Sequence, residues 1–108
     1  MTMPSRHLTP TQAYRHILVV GAGSFGTALA HVLEDSDAQT IALWTRQASH
    51  AAEMEKQREN VRYLPGCLLG DKILPVTGTL DPHLLHADLV LSAIPTQSVR
   101  SVFEGYGS

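Results

Sequence analysis

Gly21, Gly23 and Gly26 are the residues of this chain whose type and spacing point most directly to chemistry. They belong to Gly21-Ala22-Gly23-Ser24-Phe25-Gly26, a G-x-G-x-x-G turn that directly follows the apolar run Ile17-Leu18-Val19-Val20. Each glycine has its own task in such a turn. Gly21 permits the tight exit from a strand, Gly23 leaves no Cβ between backbone and anion, and Gly26 lets a helix pack closely on the strand. The first-turn N–H groups of that helix have no partners within it, and the positive end of its macrodipole lies among them. Strand, turn and helix together make a cradle for the pyrophosphate of a dinucleotide. The pattern by itself is a weak signal. Its weight comes from the strand before it, the helix after it and a second strand about twenty residues on.

That second strand, Thr40-Ile41-Ala42-Leu43-Trp44, should end beside an adenosine ribose. NAD-selective sites place an acidic residue there, whereas this chain has Trp44-Thr45-Arg46. Asp35 and Asp37 precede the strand and belong at its far end. Arg46 can pair with a 2′-phosphate, stack on adenine or simply be solvated. The choice leans towards NADP and leaves NAD open. Other candidates are weaker. His83 and His86 are three apart on a short helix with no third metal ligand in view. His31 and His50 read as exposed helix residues, and Glu55 with Arg58 reads as a surface pair. Cys67 has no histidine partner placed by motif, so a nucleophilic role is not indicated.

The elements that must hold these residues follow from the pattern of apolar runs. Strands near His16–Val20, Thr40–Trp44, Ile73–Thr77 and Leu89–Ile94 alternate with helical segments, the signature of βα units and a parallel sheet. The helix after the glycines carries Phe25, Ala28, Leu29, Val32 and Leu33, a stripe expected to face the sheet. Gln47–Glu59 is helical by propensity, with Ala48, Ala51, Ala52 and Met54 as its apolar content. Asp81 is expected to cap a short helix through His86, with Pro82 first inside it. The nearly all-apolar fourth strand implies cover on both faces. Pro95 ends it, and Thr96 opens a last helix with Val99, Val102 and Phe103 on one face. Right-handed crossovers give the sheet order 3-2-1-4. Residues 1–13 lack an apolar core and are expected to be a mobile tail before a domain spanning 14–108.

Composition narrows the function classes. An apolar content of 44% with 17% charged residues fits a globular domain, and a net charge of −2 gives no case for nucleic acid or an anionic membrane. Apolar stretches of four or five residues are far short of a membrane span. A lone cysteine excludes an internal disulfide and fits a cytoplasmic setting.

Four blocks make the reading specific. Val19 to Ala30, Leu43-Trp44-Thr45-Arg46, Asn60-Val61-Arg62-Tyr63-Leu64-Pro65-Gly66 and Ala87 to Thr96 resemble, in order and spacing, the N-terminus of the bacterial-type NAD(P)-dependent glycerol-3-phosphate dehydrogenase family. The resemblance covers about residues 16–103. It implies a Rossmann-type, doubly wound parallel sheet, of which this chain carries about four strands. It further implies that Ser24, Phe25 and Arg46 contact the cofactor. Ala93-Ile94-Pro95-Thr96 would border the nicotinamide, and the Asn60–Gly66 loop would flank the crevice. Phe25 stands where the family usually has Trp or Tyr.

The family's two functional lysines have no counterpart, since Lys56 and Lys72 sit in no matching motif. The chain is therefore expected to be a truncated cofactor cradle without the helical C-terminal domain. It would meet dihydroxyacetone phosphate or glycerol 3-phosphate, in glycerophospholipid precursor synthesis, only within a full-length enzyme. The fourth strand, left at a sheet edge, is expected to promote self-association. The rival readings are another oxidoreductase of this fold, acting on a keto acid or imine, and a non-catalytic dinucleotide-binding module.

Overall fold

The computed structural model describes residues 14–94. The element order is β1 (His16–Val20), α1 (Ser24–Leu33), β2 (Thr40–Trp44), α2 (Ala48–Gln57), β3 (Ile73–Val76), α3 (Asp81–His86) and β4 (Leu89–Ser92). Among the described residues the strands form one sheet in the order β3-β2-β1-β4, and every pairing is parallel. This is the order 3-2-1-4 expected from the sequence. Residues 1–13, Pro95 and the helix expected after Thr96 lie outside the described residues.

Strand β1 is central and apolar on both faces, and Ile17, Leu18, Val19 and Val20 are all buried. Alternation sorts the core into two clusters. Ile17 and Val19, with Ile41, Leu43 and Ile73, pack beneath Ala30 of α1 and Met54 of α2. Leu18, Val20 and Trp44 face the other way, towards Leu80 at the start of α3. Helices therefore cover both faces, which makes the sheet doubly wound. The chain changes direction at β1, because β2 and β3 lie on one side of it and β4 on the other. Such a switch opens a crevice beyond the carboxyl ends of the strands.

Several expectations need correction. In α1 the face against the sheet is Gly26, Thr27 and Ala30, while Phe25 and Val32 are 64% and 67% exposed. The glycine draws the helix so near β1 that only small side chains fit between them, and the bulky ones are displaced to the flanks. In α2 the buried set is His50, Ala51 and Met54, with Ala48 and Ala52 exposed, so His50 is a core residue and not a surface one. Asp81 is the first helical residue of α3 and not its cap; buried Leu80 holds the cap position. Strand β4 ends at Ser92, and Val90 and Ser92 face solvent, so its cover is one-sided.

Loop side chains fasten the layers. Lys72 Nζ donates to the Glu34 and Ser36 carbonyls at 3.0 and 2.8 Å, closing the end of α1 where carbonyls lack partners. Arg58, in left-handed backbone at the end of α2, donates to the carbonyls of Gly70 and Ile73, both at 2.7 Å. It also pairs with Glu55 at 3.1 Å, as the i,i+3 spacing suggests.

Asp88 joins the starts of β1 and β4. One of its carboxylate oxygens accepts the N–H groups of Arg15 at 2.9 Å and His16 at 3.0 Å. Those bonds, the Arg15 one foremost, hold the carboxyl below the usual carboxylate range. Stability from such a group is complete above its unfolded value of about 3.9 and is lost as pH falls through the lowered folded value. Asp88→Asn should therefore lower the thermal midpoint at neutral pH and flatten the acid limb. Melts followed by circular dichroism from neutral pH to about pH 3 check this, and parallel curves for the two proteins would refute it.

Candidate functional site

The strand register brings three chain segments to one place. Val20 lies beside Trp44 and beside Ser92, so Gly21, Thr45 and Ala93 follow side by side at the carboxyl edge. Hydrogen bonds keep the alignment past the strands. The Gly21 N–H donates to the Trp44 carbonyl at 2.9 Å, and the Ala93 N–H donates to the Val20 carbonyl at 2.8 Å. Beyond this edge lies an open crevice of about 360 Å³, within the usual size of ligand sites. Its floor is Gly21, Ala22 and Gly23; Arg46 and Gln47 stand on one side, Ala93 and Ile94 on another.

The three glycines differ physically. Gly21 has a φ of 115°, a region in which side chains are strained, and a Cβ there would meet the Ile94 side chain at 2.7 Å. A Cβ on Gly26 would overlap the Gly21 carbonyl oxygen, which is backbone and cannot yield. A Cβ on Gly23 would meet nothing within 4 Å among the described residues beyond its own chain neighbours. Among the described residues its want of a side chain serves no packing contact. The space it leaves adjoins the N-terminus of α1, where unpaired N–H groups and the helix dipole favour an anion. Ser24 and Phe25 begin that helix and are exposed.

On the β2 side, Trp44 is buried, and its indole Nε1–H donates to the Gly78 carbonyl at 3.0 Å. Arg46 follows, exposed, on the crevice wall. Tyr63 from the Asn60–Gly66 loop also lines the crevice, set edge-on to His50 with ring centroids 5.4 Å apart. The loop thus flanks the crevice, as expected of it.

Beneath the wall runs a buried polar chain that sequence reasoning missed. Thr45 Oγ1 lies 3.2 Å from His50 Nδ1, and His50 Nε2 lies 2.9 Å from Asn60 Oδ1. Asn60 Nδ2 donates to the Ala22 carbonyl at 2.8 Å and to Thr27 Oγ1 at 2.7 Å. His50 had one legible signal, its position four residues before Met54 on the apolar side of α2. Asn60 had none beyond its place in the loop motif. Of the remaining candidates, His86 packs against the His16 ring at 4.2 Å, and Cys67 is a half-buried free thiol. Among the described residues no cluster of three metal-ligating side chains is in place, and no helix is long and apolar enough to cross a membrane.

Fold and crevice define a class, the parallel α/β units that bind a dinucleotide where the sheet changes direction. Within it, residues 16–107 match the family described as NAD-dependent glycerol-3-phosphate dehydrogenase N-terminus, and the chain belongs to that family. It is 42% identical over 91 residues to a glycerol-3-phosphate dehydrogenase (NAD(P)+) of Beijerinckia indica, covering 84% of this chain and 27% of the relative. A Halorhodospira halophila protein of the same name is 43% identical over 88 residues, covering 82% and 26%. The crystal structure of glycerol-3-phosphate dehydrogenase from Coxiella burnetii superposes with a TM-score of 0.72 at 31% identity, over 82% of this chain and 27% of that one. The chain spans about a quarter of the length of these relatives. The cofactor implied by the family is NAD(P), and a glycine cradle with open space above Gly23 fits its pyrophosphate.

Two substitutions separate architecture from binding. Gly26→Ala should cost about 1–3 kcal/mol of stability, because backbone must move. Gly23→Ala should leave urea unfolding nearly unchanged yet weaken dinucleotide binding at least tenfold, roughly the loss of one charge-assisted hydrogen bond. Equal effects of the two on unfolding would contradict this division of labour.

Proposed function

We propose that residues 14–108 are the cofactor-binding unit of a glycerol-3-phosphate dehydrogenase, with 1–13 as its tail. The observation that carries this reading is the meeting of three strand ends on a crevice whose glycine turn has open space where a Cβ would stand. The N–H groups around Gly23, Ser24, Phe25 and Gly26 would hold the pyrophosphate. Gly21 would let the chain turn under it, and Pro95 would border the nicotinamide. Arg46, at the end of β2, would face the adenosine ribose and pair with a 2′-phosphate. When bound, NAD(P)H supplies a hydride for the carbonyl carbon of dihydroxyacetone phosphate, and NAD(P)+ accepts one from glycerol 3-phosphate.

This chain's own residues bind and orient. The reaction also needs a cation at the carbonyl oxygen, and the two lysines are placed elsewhere. Lys72 is engaged with the Glu34 and Ser36 carbonyls just past α1, and Lys56 is exposed in the last turn of α2. The chain by itself is therefore expected to bind cofactor without reducing dihydroxyacetone phosphate. Turnover by the purified 108-residue chain would overturn that. The free Cys67 thiol suits a reducing, cytoplasmic setting. Strand β4 pairs with β1 alone among the described residues, so self-association through its other edge is the accompanying expectation.

Calorimetric titration with NADH and NADPH tests the cofactor reading. Binding of at least one dinucleotide is required. Arg46→Ala should weaken NADPH about tenfold or more and NADH much less, as loss of one phosphate pairing implies. Equal losses for both cofactors would assign Arg46 to another part of the ligand.

A further inference from the structure

The buried chain from Thr45 to Ala22 joins the two loops that the cofactor must touch at once. The amide of Asn60 sets the direction of its central bonds. Asn60 Nδ2 has two hydrogens and two acceptors, the Ala22 carbonyl and Thr27 Oγ1, so the amide orientation is set and Oδ1 faces His50. An amide oxygen only accepts, and His50 Nε2 must therefore carry the hydrogen. In the neutral ring His50 Nδ1 then accepts from the Thr45 hydroxyl, whose oxygen also lies 3.4 Å from the Gln47 nitrogen. Both ring nitrogens of His50 and both ends of the Asn60 amide have partners, and His50, Asn60 and Thr27 are almost wholly buried.

The geometry of the peptide unit gives the chain a consequence in the crevice. C=O and N–H of a trans peptide point in opposite directions. The amide of Asn60 draws the Ala22 carbonyl inward, so the Gly23 N–H of the same unit is turned outward. At the other end, the Thr45 side chain is held immediately before Arg46. Tyr63 lies across the ring that joins them.

We propose that His50 is a positioning residue of the dinucleotide site, setting the β2 loop with Arg46 in register with the phosphate turn at Gly23. The proposal rests on the reading that this crevice holds NAD(P). Its distinguishing consequence concerns ligands that span both loops. A dinucleotide needs the two at a fixed separation, whereas inorganic pyrophosphate needs the glycine turn alone.

The test is titration of the full 108-residue chain and its His50→Phe variant with NADPH and with inorganic pyrophosphate. His50→Phe should weaken NADPH about tenfold, the size of one or two lost hydrogen bonds, with pyrophosphate changed less than about twofold. Ile73→Val, a core truncation at the opposite end of the sheet, controls for general destabilisation and should leave the ratio of the two affinities unchanged. A parallel loss for both ligands, or none for NADPH, overturns the proposal. Wild-type chain that binds no dinucleotide overturns the cofactor reading first and the proposal with it. A measurement on wild type stands independently of whether the variant folds. Nitrogen-resolved NMR of the His50 ring should show hydrogen on Nε2; hydrogen on Nδ1 would reverse the polarity of the chain and sink the idea.

Discussion

A helix can aim its first-turn N–H groups over the end of a strand only if it leaves that strand at once and packs directly upon it. The contact between Gly26 and the Gly21 carbonyl is where this chain meets that constraint. No side chain fits there, and the absence of one sets the height of α1 above β1. From that height follows the small-residue face of Gly26, Thr27 and Ala30, and the displacement of Phe25 and Val32 to the surface. The cradle for an anion is thus a product of backbone packing before any ligand is considered. Its chemistry is that of oriented peptide groups.

Such a cradle has a weakness, because glycine-rich backbone has few side chains to hold it. Here the stiffness is supplied from outside the turn. The Asn60 amide reaches both the Ala22 carbonyl and Thr27, and its own position depends on the loop that follows α2. The Leu64 N–H donates to the Asn60 carbonyl at 2.8 Å, so the Asn60–Gly66 loop is closed on itself beside the crevice. This gives the loop a role that neither covering a sheet edge nor touching a ligand describes. It carries the residue that orients the phosphate turn.

The sheet was legible because its strands are built on apolar runs bounded by turns, and β1 and β2 have the bounds those runs suggested. The glycine turn was legible because three positions with special backbone needs recur at fixed spacing. The inner face of α1 was not, since hydrophobicity favours Phe25 and Val32 whereas clearance above the strand favours glycine, threonine and alanine. The buried polar chain was hidden for a different reason. Threonine, histidine and asparagine are individually common on surfaces, and nothing local marks three of them, spread over sixteen positions, as mutual partners. Long-range hydrogen bonds write no period into a sequence.

The buried chain also bears on how the crevice reads Arg46. Arg46 follows Thr45 directly, so its backbone is placed by whatever holds that threonine. Thr45 is itself held through bonds to His50, Val76 and Thr77. The same threonine comes directly after β2 and begins the wall of the crevice. A change in the core near His50 would therefore reach a charged group at the rim without touching it. The buried polar chain and the rim of the crevice are in this sense one structure, joined at Thr45.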